Sequence, residues 1–243
     1  MEIPCAKSRI AFCIMAASLA AIVAILACGL ALHERAGSFE PSPDAAEQVS
    51  DDGFPVVDWA YWQTVNPDVI GWVSVSDTPI NCPIVQAPAN DPTYYLTHDV
   101  YKAWNYMGCP YLDATCAEDG LLSRNSAIFG HNLGYGDDKL FATFALYSDF
   151  DYAAAHRTVQ LQTPTWKQTL TVEGASVIAG WNSLKRTSFD SLSDFNQYHA
   201  MLITDADVQL AEPAQSRLYT FCTCSYNYWG NERTLVYAVP EKG

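Results

Sequence analysis

Basic side chains are scarce in this chain. Its 243 residues hold 13 Lys and Arg against 27 Asp and Glu, and beyond position 32 the count is 11 against 26, a net charge of −15. That balance argues against a nucleic-acid partner, because phosphate binding draws most of its affinity from Lys and Arg. No internal repeat and no break in composition divides the last ~190 residues, which suffice for one full core.

One long apolar run is present. Ile10 to Leu32 are 23 consecutive uncharged, mostly apolar residues between Arg9 and His33. At about 1.5 Å per residue the run can cross a ~30 Å hydrocarbon layer. Lys7 and Arg9 precede it, so the positive-inside rule keeps the N-terminus in the cytoplasm and sends the rest outside. A cleaved signal peptide has a shorter core of about 7 to 15 residues, which favours a retained anchor. Ile25-Leu-Ala-Cys28 resembles a lipoprotein cleavage site, but Leu26 fits that pattern poorly. The expected organisation is a cytoplasmic end at 1–9, a transmembrane anchor at 10–32, a linker at 33–52 carrying Gly37, Pro41, Pro43 and several acids, and an extracytoplasmic domain at 53–243.

The external part reads as mainly β. Ile70–Val75, Ile80–Val85, Met107–Leu112, Ser126–Phe129, Thr158–Thr163, Gln168–Ile178, Arg217–Thr223 and Arg233–Val239 are short, rich in β-branched or aromatic residues, and separated by turn residues. Three stretches are compatible with helix: Val56–Val65, stopped by Asn66-Pro67; Leu140–Leu146; and Ser191–Ile203, with apolar or aromatic residues at Leu192, Phe195, Tyr198, Met201 and Leu202. A small β-barrel with helical insertions accommodates all of them.

The last two strands form a hairpin in which Cys224 ends one strand and Arg233 begins the next, with Cβ atoms within roughly 5 to 8 Å. A thiol and a guanidinium then share one pocket. His131, in Ile128-Phe-Gly-His-Asn132, completes a candidate triad.

These residues and five ordered motifs resemble the class B sortases. The motifs are Asn66-Pro-Asp-Val-Ile-Gly-Trp72, Thr78-Pro-Ile-Asn-Cys-Pro-Ile-Val-Gln86, Tyr94-Tyr-Leu-Thr-His-Asp99, Gly108-Cys-Pro-Tyr-Leu-Asp113 and Ile128-Phe-Gly-His-Asn132, in a match running from about Val56 to Val239. The resemblance implies an eight-stranded barrel with an N-terminal helical extension and a helix inserted before the last two strands, here Ser191–Ile203. It also implies a membrane-anchored cysteine transpeptidase, without a cofactor. Such an enzyme cleaves a C-terminal sorting motif similar to Asn-Pro-x-Thr-x after Thr, holds the product as a thioacyl-enzyme, and passes it to an amine. Its expected partners are secreted proteins bearing that signal, and a peptidoglycan-precursor or pilin amine as acceptor. The expected location is the plasma membrane, in a single pass.

The chemistry of the side chains agrees with those roles. A free Cys with pKa about 8.5 is only a few per cent thiolate at neutral pH, so Cys224 needs a partner. His131 serves either as an imidazolium beside the thiolate or as the acid that protonates the departing amine. Arg233 stays protonated, so it orients the substrate backbone and stabilises the oxyanion. Taken singly, each has a plainer reading: a strand Cys is usually a small buried hydrophobe, and a loop His is usually solvated.

Cys222 departs from the Ser that the family commonly carries two residues before the nucleophile. In a strand it faces the same side as Cys224, which leaves four options: lining the groove, acting as nucleophile, a strained bond to Cys224, or a metal pair. A metal needs more soft ligands than His131 supplies, so no metal is expected. Cys222, Thr223, Ser225, Leu96 and Leu184 are the expected substrate contacts, in a groove bounded by the 90–99 segment, the loop around Leu184 and the Ser191–Ile203 helix. His98 and His156 are expected in structural hydrogen bonds, His33 and His199 at the surface, and Cys82 in the core; for Cys109 and Cys116 a loop disulfide is one option, left open by the sequence, since oxidation can occur outside the membrane. Cys5, Cys13 and Cys28 belong to the anchor region. The seven Trp and fourteen Tyr are read as core rather than as a carbohydrate platform. Two other classes of function remain open: a cysteine peptidase with water as acceptor, and a non-catalytic binding module on the same barrel.

Overall fold

The computed structural model describes residues 49–116, 118–134, 140–182, 185–214, 216–228 and 230–241. The expected anchor at Ile10–Leu32 and most of the linker lie outside them, as does Leu184. Among the described residues no helix is long and apolar enough to cross a membrane.

Nine strands are described: β1 (Val69–Ser74), β2 (Asn81–Gln86), β3 (Tyr111–Leu112), β4 (Asn125–Gly130), β5 (Thr158–Gln162), β6 (Lys167–Ala179), β7 (Val208–Gln209), β8 (Leu218–Ser225) and β9 (Glu232–Pro240). Their order is β5-β1-β2-β3-β4-β8-β9-β6-β7, and β5 also pairs with β6. That last pairing closes eight strands into a barrel, leaving β7 as a short addition to β6. Closure removes free edges that would otherwise present unpaired backbone groups. The ladder is antiparallel except at β2–β3 and β4–β8.

Helix α1 (Trp59–Val65) starts at Asp58, whose carboxylate accepts from the Tyr61 N–H at 2.9 Å, and ends at Asn66 before Pro67. Its Trp62 is fully buried, 5.6 Å from the Trp72 ring. The expected strand Met107–Leu112 shrinks to Tyr111–Leu112. Gly108 takes a left-handed φ of +62°, and a Cβ there would lie 2.3 Å from the Tyr95 carbonyl, so the chain turns where alternation suggested extension. The helical pattern at Leu140–Leu146 is realised as a 3₁₀ segment, Leu140–Ser148. The short helix α2 (Phe150–Ala155), capped by Asp149, was not legible as helix among its aromatic and acidic residues.

Helix α3 (Leu192–Thr204) follows β6, as expected. Ser191 caps it, accepting from Asp194 N at 3.1 Å, and Asp194 is ion-paired with Arg186. Phe195, Tyr198, Leu202 and Ile203 pack onto Leu218 and Cys222 of β8 and Leu235, Tyr237 and Val239 of β9. The opposite face of β8 carries Phe221, stacked on Phe144 of the 3₁₀ segment at 4.7 Å. β8 is thus covered on both faces except near its C-terminal end.

One sequence expectation is corrected and one open option is decided. His199 is 1% exposed rather than at the surface, and its Nε2 lies 2.7 Å from Glu173 Oε2, a pairing that satisfies both buried groups. Cys109 and Cys116 are separate, buried thiols rather than a disulfide: the Cys116 Sγ bonds the Asn125 carbonyl at 3.4 Å, and burial pushes the Cys109 thiol well up. Cys82 is core, as expected, and His98 and His156 bond the Tyr94 and Tyr152 carbonyls, each at 2.8 Å.

Candidate active site

Three strand ends meet at the uncovered end of β8. In the β8–β9 hairpin Cys224 pairs directly with Arg233, and Ser225 with Glu232. On the other side β4 runs parallel to β8, with Phe129 opposite Cys222 and Gly130 opposite Thr223. Continuing that register by one residue sets His131 alongside Cys224. The sequence brought Cys224 and Arg233 together through a local hairpin, whereas His131 arrives through a parallel pairing that has no local signature.

Both Cys224 and Arg233 are partly exposed. The Arg233 Nη1 donates to Asn231 Oδ1 at 3.3 Å and to the Glu232 carbonyl at 3.0 Å, and no carboxylate pairs with the guanidinium among the described residues. Its Nε and Nη2 donors are left for a ligand. Gly180 makes this placement possible, since a Cβ there would lie 3.1 Å from Nη1 and 2.3 Å from Asn231 Oδ1. His131 is half-buried, and its Nε2 bonds the Leu96 carbonyl at 2.8 Å.

The two thiols are not equivalent. Cys222 is 8% exposed, within the cluster under α3, and burial pushes its pKa up to about 12 although the Arg233 charge pulls the other way. A buried thiol held neutral is a poor nucleophile, so the geometry favours Cys224. Cys222 packs in the cluster with α3 rather than at the partly exposed position that Cys224 takes. Among the described residues no cluster of His, Cys, Asp or Glu is arranged to hold a metal.

The side chains of Thr223 and Ser225 do not share the face that carries Cys224. Both side chains are buried on the opposite face of β8, where Thr223 Oγ1 donates to the Gly130 carbonyl at 2.9 Å. The period-two alternation of a strand carries this information, because residues flanking Cys224 must point away from it. Leu96 is half-buried and reaches the site through its carbonyl. The wall beyond Cys222 is aromatic: Tyr111 stacks on Phe129 at 5.6 Å, with Lys185 Nζ 5.5 Å from the Phe129 ring centre and ion-paired with Asp113.

Glu232 was missed. It is fully buried, and its two carboxylate oxygens accept from the backbone N–H groups of Asn227 (3.1 Å) and Tyr228 (3.0 Å). It thereby ties down the loop between Cys224 and Arg233. An acid at the first position of a largely buried strand, directly after a loop, was the available signal.

Known proteins resemble this chain in sequence and fold. The chain is 28% identical over 171 residues to the sortase B of Listeria monocytogenes, covering 67% of this chain and 65% of that protein. It is 24% identical over 178 residues to the Staphylococcus aureus sortase B, covering 72% and 70%. The crystal structure of Clostridium perfringens sortase B superposes with a TM-score of 0.68 at 23% identity, over 75% of this chain and 99% of that one. No protein-family model matches the chain. The matched region thus spans just under two thirds of the Listeria relative, and sequence pattern and closed eight-stranded barrel both agree with a class B sortase.

Proposed function

Starting from a chain that shares sequence and fold with class B sortases, we propose that it is a cysteine transpeptidase acting on a C-terminal sorting motif of the Asn-Pro-x-Thr-x type. The carrying observation is the direct pairing of Cys224 with Arg233 on a hairpin whose neighbour β4 ends at Gly130, the residue before His131.

The Cys224 thiolate attacks the Thr carbonyl carbon, and the carbonyl electrons move onto oxygen, where the free donors of Arg233 stabilise them. Collapse breaks the C–N bond. The imidazolium of His131 protonates the departing amine and becomes neutral, leaving a thioester on Cys224. An acceptor amine then attacks the thioester, His131 takes the proton that this amine loses, and Cys224 leaves as thiolate. The products are a new amide and the starting enzyme.

The acceptor in this reading is a peptidoglycan-precursor or pilin amine. Ile10–Leu32 anchors the chain in the plasma membrane, and residues 53–243 form the catalytic domain on the extracytoplasmic face. The long uncharged run behind Lys7 and Arg9 supports that placement.

A fragment spanning the compact unit Pro41–Gly243 tests the reaction. Incubated with an Asn-Pro-x-Thr-x peptide, it forms an acyl adduct detectable by mass, which an added amine releases as an amide. Release only by water across a panel of amines would make the protein a peptidase. Absence of any adduct would make it a binding module.

A further inference from the structure

His131 is held by a backbone carbonyl, and that choice of partner fixes its chemistry. A carbonyl oxygen only accepts, so the 2.8 Å bond to Leu96 requires the proton on Nε2. Nδ1 is therefore the nitrogen that takes up and gives up a proton. The ring is held closely: a Cβ on Gly108 would lie 3.1 Å from both His131 Cδ2 and the Leu96 oxygen.

Leu96 lies in a loop fastened by the motif Asn66-Pro-Asp-Val-Ile-Gly-Trp72, far away in sequence. Asn66 and Tyr95 are both fully buried. Asn66 Nδ2 donates to the Tyr95 hydroxyl and to the Val100 carbonyl, each at 2.9 Å, while Asn66 Oδ1 accepts from Asp68 N at 3.0 Å. The Tyr95 hydroxyl in turn donates to Asp68 Oδ2 at 2.7 Å, and Lys102 pairs with that carboxylate at 2.9 Å. On the far side of the loop the Tyr95 carbonyl accepts from Cys109 N at 2.9 Å. The residue that presents its carbonyl to His131 directly follows the residue held by this network.

We propose that Asn66, Tyr95 and Asp68 are positioning residues that place the Leu96 carbonyl and thereby select the Nε2–H tautomer of His131. The proposal rests on the transpeptidase reading only for the consequence in rate; the tautomer is a property of the folded chain alone. Satisfying the buried Asn66 amide would account for its hydrogen bonds as a purely structural role, but that role predicts no change at His131 when a distant hydroxyl is removed.

The test is a long-range 1H–15N spectrum of the full-length chain labelled on histidine, with the His131 signal assigned by its loss in His131→Gln. At a pH that keeps the imidazole neutral, the wild-type protein shows Nε2–H. Tyr95→Phe, which removes one hydroxyl and keeps the ring, moves part of the His131 population to Nδ1–H and slows adduct formation roughly 10- to 100-fold with little change in KM. Thr93→Val, in the same loop with its hydroxyl bonded to Asp91 rather than to the network, leaves the tautomer unchanged. Should Tyr95→Phe fail to fold, Asp68→Asn, which alters the partly exposed acceptor of the same hydroxyl, makes the same shift. A folded Tyr95→Phe or Asp68→Asn protein with the wild-type tautomer overturns the positioning role. Full adduct formation by His131→Gln, with the tautomer shift still present in Tyr95→Phe, would remove His131 from catalysis and leave the positioning intact.

Discussion

Cys224 and Arg233, nine residues apart in the chain, are direct cross-strand partners at the loop end of the β8–β9 hairpin. Their side chains share the sheet face on which α3 packs further along, at Cys222, and both remain partly exposed. Since no carboxylate neutralises Arg233 among the described residues, its charge is available to a ligand. Arg233→Lys keeps that charge but loses the planar fork of donors. Turnover is expected to fall on the order of 100-fold, while the thermal midpoint stays near that of the wild type because the side chain is partly exposed. Steady-state kinetics beside a melting curve decides this, and an unchanged rate would remove Arg233 from the mechanism.

The difference between the two thiols gives a second expectation. Iodoacetamide at pH 7 to 8 should label Cys224 and spare Cys222, whose pKa burial pushes up to about 12. Peptide mapping reads the site directly. Cys224→Ala should form no acyl adduct, whereas Cys222→Ser should retain it. An adduct on Cys222 would reverse the assignment.

Cys222 also makes stability depend on pH. Its folded pKa is raised from 9.0 to about 12, so between those values the unfolded thiol loses its proton while the folded one keeps it. The unfolded state then binds fewer protons, and stability falls as pH rises through that window. Below pH 9 the term vanishes. Chemical denaturation from pH 8 to 11 should show a shallower alkaline loss for Cys222→Ala than for the wild type; parallel curves would contradict the buried-thiol account.

Glu232 holds two loop amides with two oxygens, and Gln offers one acceptor plus an NH₂ that meets the second amide as donor to donor. Glu232→Gln should therefore lose one bond and cost about 1 to 3 kcal/mol. Hydrogen exchange at Asn227 and Tyr228 should accelerate, and turnover should drop as the loop between nucleophile and guanidinium loosens. Unchanged protection of both amides would show that the carboxylate does not hold the loop.

The anchor proposal is checked on whole cells. A retained Ile10–Leu32 segment keeps the Met1 end on the mature protein and holds it in membranes through high-salt and alkaline washing. A soluble form beginning after Ala31, or one acylated on Cys28, would replace the anchor with a processed leader.

The sequence by itself determined the barrel and two thirds of the candidate site. Strand alternation is local, so β1, β2, β4, β5, β6, β8 and β9 were legible to within two residues, and a hairpin with a short loop necessarily brings Cys224 near Arg233. The same alternation also turned Thr223 and Ser225 away from the groove. The cap at Ser191 and the apolar stripe through Phe195, Tyr198 and Leu202 likewise specified α3. Tertiary structure decided what depends on distant segments. The parallel pairing of β4 with β8 brings Gly130, the residue before His131, opposite Thr223, the residue before Cys224, and the packing of α3 buries Cys222 and converts a matching thiol into a poor nucleophile. It also buried His199 against Glu173. The Leu96 carbonyl on His131 is the extreme case. Every residue carries a carbonyl, so nothing in the identity of Leu96 announces the contact; only the fold, closing a loop 35 residues upstream onto the histidine, selects which one accepts its proton.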